Sequence, residues 1–204
     1  MIIDVIDITD PMLVQTQVAL GRLGRSKILT YRSMSNGLGQ MVEDICRLLG
    51  TPSQPPRFEL GKPAPRTTAD MIKAFGAVSH KIDALRIWGH GDIGGQNISA
   101  GTDGSGVLAH RTGLSPSVVR REEAVLRRLT PYFAPNGRVE LRGCAVGRGF
   151  DGIKFLQQLA DVWGVKVYGA VELQPMVGLD WFGPVYEVPQ KDKGEPRLGS
   201  GPNI

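Results

Sequence analysis

The apolar residues of this chain switch repeatedly between two spacings, and that alternation constrains the fold more than any single motif. Short runs compatible with strands fall at residues 1–8, 27–32, 84–88, 138–142, 165–170 and 185–188. Between them, apolar residues recur three and four apart. Leu38, Met41, Val42, Ile45, Cys46 and Leu49 share one helical stripe, closed by Gly50 and Pro52. Ile153, Leu156, Leu159, Ala160 and Trp163 share another. Ser115 and Pro116 combine an N-cap serine with a proline at the first helical position, opening a helix expected to run to about Phe133. Strands alternating with helices predict an α/β protein. The expected form is a three-layer α/β/α sandwich around a mainly parallel sheet.

Other segments are less regular. Residues 11–20 fit neither spacing cleanly. Residues 51–66 hold five prolines and read as an extended connection. Thr67 and Asp70 then have capping-box spacing for a helix through about residue 79, with His80 at its end. A glycine-rich loop follows over residues 91–113, and Asn136-Gly137 reads as a turn into the strand at 138–142. From Pro189 onward the chain is polar, with glycine and proline and almost no large apolar residue. One domain over residues 1–188 is expected, with a mobile C-terminal tail over residues 189–204.

Composition removes several classes of function. No apolar run approaches the roughly 18 residues that span a bilayer. The first ten residues carry three aspartates and no basic residue, unlike a targeting segment. A soluble, cytoplasmic protein without a membrane partner is therefore expected. The formal charge is +4, and eight arginines lie from Arg111 to Arg148. Arg120, Arg121, Arg127 and Arg128 alternate with Val118, Val119, Val125, Leu126 and Leu129, which reads as the solvated side of a helix. No aromatic residue interleaves with them to stack on bases, so nucleic acid is not an expected partner.

The chemistry-bearing residues are few. With two cysteines and three histidines, and no Cys-x-x-Cys or His-Glu-x-x-His, neither a disulfide framework nor a metal site is expected. Gly37 and Gly39 begin a dinucleotide fingerprint, but Val42 stands at its third glycine position. Phe150 stands where a cysteine-phosphatase cradle needs arginine. Gly-x-Ser-x-Gly and Walker-type sequences are missing, and no cofactor is expected. Cys46 lies on an apolar helical stripe and reads as a small buried hydrophobe.

Cys144 and His90 stand apart from this background. Each follows a strand, so both belong on the carboxyl edge where parallel sheets bind ligands. Cys144 precedes a short turn and a helix N-terminus, whose N–H groups favour a thiolate, with Arg148 adding positive charge. His90 lies between two glycines, and an imidazole with a pKa near ~6.5 can accept and return a proton. The N–H of Gly91 or of Cys144 can steady a tetrahedral oxyanion. Asp92 can orient a loop N–H or the imidazole, or touch a substrate.

Ile87-Trp88-Gly89-His90-Gly91 with Gly94, and Leu141-Arg142-Gly143-Cys144 with Gly147, resemble the caspase-like cysteine peptidases. The likeness is closest to the bacterial caspase-like domains of large surface proteins and to the CHAT peptidases. The 54 positions from His90 to Cys144 are similar to the caspase spacing of about 50. Gly152, Phe155, Leu156, Leu159, Ala160, Gly164, Val167, Trp181, Gly183 and Pro184 extend the resemblance over residues 84–190. Before residue 84, only the strand and helix at 27–50 fit.

This resemblance implies a caspase-like fold with His90 as general acid and base, Cys144 as nucleophile, and Gly91 and Cys144 as oxyanion donors. It implies hydrolysis of a peptide or protein substrate through a thioester. Ala145-Val146 replaces the caspase Arg-Gly, so preference for aspartate is not implied. Glu172, after the strand at 165–170, would favour a basic substrate side chain. Two alternatives stay open: an inactive recognition or scaffold module of the same fold, and small-molecule binding on a doubly wound sheet.

Overall fold

The computed structural model describes residues 1–7, 11–31, 37–49, 81–96, 114–175 and 179–203. The proline-rich connection at 51–66, the capping-box helix to residue 79, His80 and most of the glycine-rich loop lie outside the described residues. The chain runs β1 (Ile2–Asp7), α1 (Pro11–Leu23), β2 (Ser26–Tyr31), α2 (Gly37–Leu48) and β3 (Ile82–Trp88). A small hairpin of β4 (Gly91–Asp92) and β5 (Gly95–Gln96) follows. Then come α3 (Pro116–Arg121), α4 (Glu123–Leu126), a 3-10 segment (Arg127–Tyr132), β6 (Phe133–Leu141), α5 (Gly149–Trp163), β7 (Lys166–Ala170) and β8 (Val185–Val188). A short 3-10 turn (Lys191–Lys193) and β9 (Arg197–Gly199) complete it.

Seven strands form one sheet in the order β2-β1-β3-β6-β7-β8-β9. The first five are mutually parallel, and β8 and β9 join antiparallel. Side chains alternate between the two faces. On one face Ile3, Val5, Leu85, Ile87, Val139, Leu141 and Val167 pack in a single core with α2, α4 and α5. On the other, Ile6 and Trp88 pack with Leu13 and Leu20 of α1. Helices on both faces make this the expected α/β architecture. No helix among the described residues is long and apolar enough to cross a membrane.

The ambiguous stretch at 11–20 is helical. Leu13, Thr16 and Leu20 turn inward, but Val14, Val18 and Leu23 remain exposed, which blurs the amphipathic pattern. Residues 116–133 depart from the single expected helix. A break at Glu122 (φ −101°, ψ 16°) separates α3 from α4, and Pro131 sits in the 3-10 segment before β6. Asn136-Gly137 lies within β6 and does not precede it. There β6 advances from Phe133 to Arg138 while β3 advances only from Ile82 to Ala84, so the extra residues bulge.

The segment after Pro189 carries one further strand. β9 pairs with β8, with Glu187 opposite Arg197, so β8 is not the last strand. Asp161 accepts the Lys191 N–H (2.9 Å), Gln157 donates to the Pro189 carbonyl (2.8 Å), and Gly201 packs on the indole of Trp181. These are backbone and polar contacts, which need no large apolar residue in the tail itself.

Candidate active site

The strand order reverses at β1, with β2 on one side and β3 on the other. In open parallel sheets the crevice at such a reversal, outside the carboxyl ends, is the usual ligand site. A shallow cleft opens there. Its walls are Leu13 and Thr16 of α1, Trp88 and Gly89 after β3, Arg142 and Cys144 after β6, and Gln174, Pro175 and Asp180 from the segment after β7.

The two sequence motifs meet at this edge through their backbones. The Arg142 N–H donates to the Ile87 carbonyl (2.8 Å), carrying the β3–β6 ladder past the end of β6. A side-chain carbon at Gly91 would lie 2.7 Å from the Cys144 carbonyl oxygen and 2.8 Å from its nitrogen. One at Gly143 would lie 2.8 Å from the Gly91 Cα. Only glycine permits this approach at either position. His90 is half-buried and adjoins the contact, while the cleft wall itself is formed by Gly89 and Cys144.

Cys144 is half-buried, and its sulfur faces the Gln174 backbone. The Gln174 N–H donates to Sγ (3.3 Å), and the thiol donates to the Gln174 carbonyl (3.6 Å). The next residue, Ala145, holds φ +53°, the one non-glycine residue with positive φ among those described. That conformation is uncommon for alanine and costs about 1 kcal/mol. The turn persists because its ends are tied down. Ala145 N–H donates to the Glu172 carbonyl (2.9 Å), Gly147 N–H to the Ala170 carbonyl (2.8 Å), and Gly94 N–H to the Val146 carbonyl (3.2 Å).

The other expected site residues take outer positions. Asp92 is exposed and accepts the Ile93 N–H (2.7 Å) in the β4–β5 turn. Arg148 is exposed and donates from Nε to the Val171 carbonyl (2.7 Å). The Glu172 side chain is also exposed and lies beside Gly183, away from the cleft lining. Cys46 is buried on α2, and burial pushes its thiol pKa up.

Sequence reasoning missed the residue that organises the cleft floor. Arg142 is buried, and its Nε and Nη2 donate to Glu140 Oε2. Its Nη1 donates to the Leu179 carbonyl (3.0 Å). The guanidinium carbon lies 3.9 Å from the Trp181 ring centre and 5.1 Å from that of Trp88. Burial pulls its pKa down while Glu140 raises it, and the group stays charged. Behind it, Arg86 lies between Glu140 (3.6 Å) and Asp4 (3.9 Å), and Asp4 accepts the Trp88 indole N–H (2.7 Å). The missed signal was one charged residue, alternating in sign, inside each of three apolar strands: Asp4, Arg86 and Glu140.

Compared with family models, with curated proteins and with solved structures, the chain matches none.

Proposed function

We propose that the chain is a caspase-like cysteine endopeptidase. The observation that carries this reading is the flush backbone contact between His90-Gly91 and Gly143-Cys144, beside a cleft partly walled by Cys144. In the proposed reaction His90 takes the Cys144 proton as Sγ bonds to the substrate carbonyl carbon. The Gly91 and Cys144 N–H groups steady the oxyanion. Collapse breaks the C–N bond, and the imidazolium returns the proton to the leaving amine. Water then attacks the thioester, giving its proton to His90. The acid is released and Cys144 regains a proton.

The test is alkylation by a peptidyl electrophile. In folded protein Cys144 should react at least about tenfold faster than Cys46, whose thiol is buried. His90→Ala should slow Cys144 labelling by about 100-fold. Equal rates at the two cysteines, or no effect of the histidine, would sink the reading. The two bonds between Cys144 Sγ and the Gln174 backbone favour a second reading, an inactive recognition module with a structural thiol. Failure of the His90 effect would favour it.

A further inference from the structure

We infer that the cleft beside Cys144 is a subsite for a lysine or arginine side chain, with Asp180 as its specificity-determining carboxylate. The inference deepens the peptidase reading and rests on it for the occupant being a substrate.

Among the described residues two charged ones line the cleft, Arg142 and Asp180, and they differ in what they offer a ligand. The charge of Arg142 is used internally: Glu140 takes Nε and Nη2, the Leu179 carbonyl takes Nη1, and the side chain is only 2% exposed. Asp180 is exposed and forms no ion pair or hydrogen bond among the described residues. Among the described residues it is therefore the uncompensated charge on the lining.

Its backbone is also held in place. The residue before it gives its carbonyl to Arg142, and the residue after it, Trp181, lies against the same guanidinium. One buried arginine thus pins both neighbours of the carboxylate. Leu13 and Trp88 provide apolar walls along which the methylene stem of a lysine or arginine can lie, its charged end reaching Asp180. An aspartate or glutamate would set like charges together, and an apolar side chain would desolvate Asp180 without a partner. Glu172, expected from sequence to favour a basic side chain, does not line the cleft, so Asp180 takes that role.

The experiment separates this inference from the reaction. Cys144→Ala protein is titrated by fluorescence anisotropy with labelled Ala-Ala-Ala-Arg amide and with its norleucine and aspartate counterparts. The arginine peptide should bind at least about tenfold tighter than either. Asp180→Asn should remove that preference, and Asp180→Lys should turn it toward the aspartate peptide, with circular dichroism showing that both variants remain folded. Turnover of the same peptides by the unmodified chain is measured alongside. Arginine preference without cleavage keeps the subsite and sinks the peptidase reading. Cleavage without arginine preference, or a preference that survives Asp180→Asn, overturns the subsite. Absence of both binding and cleavage overturns both.

Discussion

The two faces of the sheet are built on different principles. One presents the buried apolar residues Ile3, Val5, Leu85, Ile87, Val139 and Leu141 to α2, α4 and α5. The other carries Asp4, Arg86 and Glu140 in one register row across the same three strands, all buried. Arg142 and the partly exposed Arg138 also pair with Glu140, so three guanidinium groups face two carboxylates. The next positions along each strand toward the carboxyl edge on that face are Ile6, Trp88 and Arg142. The charged row therefore lies directly behind the cleft floor. The difference teaches a division of labour. Non-directional apolar burial stabilises the fold, whereas directional charge pairs fix where Trp88 and Arg142 stand.

The sharpest way to break this contrast is Glu140→Leu. It strips Arg86, Arg138 and Arg142 of a shared carboxylate and should lower the unfolding free energy by about 3–5 kcal/mol. On the apolar face, Leu85→Ala should cost about 2–5 kcal/mol through lost burial and a cavity. Denaturant melts distinguish the causes through compensation. Replacing Asp4, Arg86, Glu140 and Arg142 together with Leu, Met, Leu and Met should recover most of the Glu140→Leu loss. No recovery would show that the loss does not come from stranded buried charges.

A smaller effect is expected for Arg142→Lys, which keeps the charge but loses the planar fork and the stack on Trp181. The loss should be about 1–3 kcal/mol, with a red shift of tryptophan emission. Ile87→Val on the apolar face should cost about 0.5–1.5 kcal/mol and leave that emission unchanged. An unshifted spectrum for Arg142→Lys would break the proposed link between charged row and cleft. The smallest effect belongs to Ala145→Gly. Relief of the +53° φ, set against the greater freedom of unfolded glycine, should leave stability unchanged or raise it by up to about 1 kcal/mol. A loss larger than that would assign the buried Ala145 methyl a packing role.

Much of the scaffold was legible because its pattern is local. The stripes of α2 and α5 alternate with apolar strands, and that is enough for a parallel sheet with helices on both faces. The shared edge of His90 and Cys144 was legible for the same reason, since each follows a strand. α1 was not, because Val14 and Val18 are exposed and only its position over β1 makes it amphipathic. The bulge in β6 was hidden because Asn-Gly is a turn signal whether or not a neighbouring strand is waiting. The order in the tail depends on an edge strand and on side chains of α5 that pattern cannot anticipate.

By itself, the sequence determined the class of fold, the buried fate of Cys46 and the placement of His90 and Cys144 after strand ends, because each follows from spacing along the chain. The tertiary structure alone decided that Gly91 meets Cys144 backbone to backbone and that Asp4, Arg86 and Glu140 form one row across three strands. It alone decided that Arg142 reaches 37 residues along the chain to pin the flank of Asp180. The physical reason is that charge compensation and close backbone approach are properties of pairs. A pair far apart in sequence exists only once the sheet has brought its strands together.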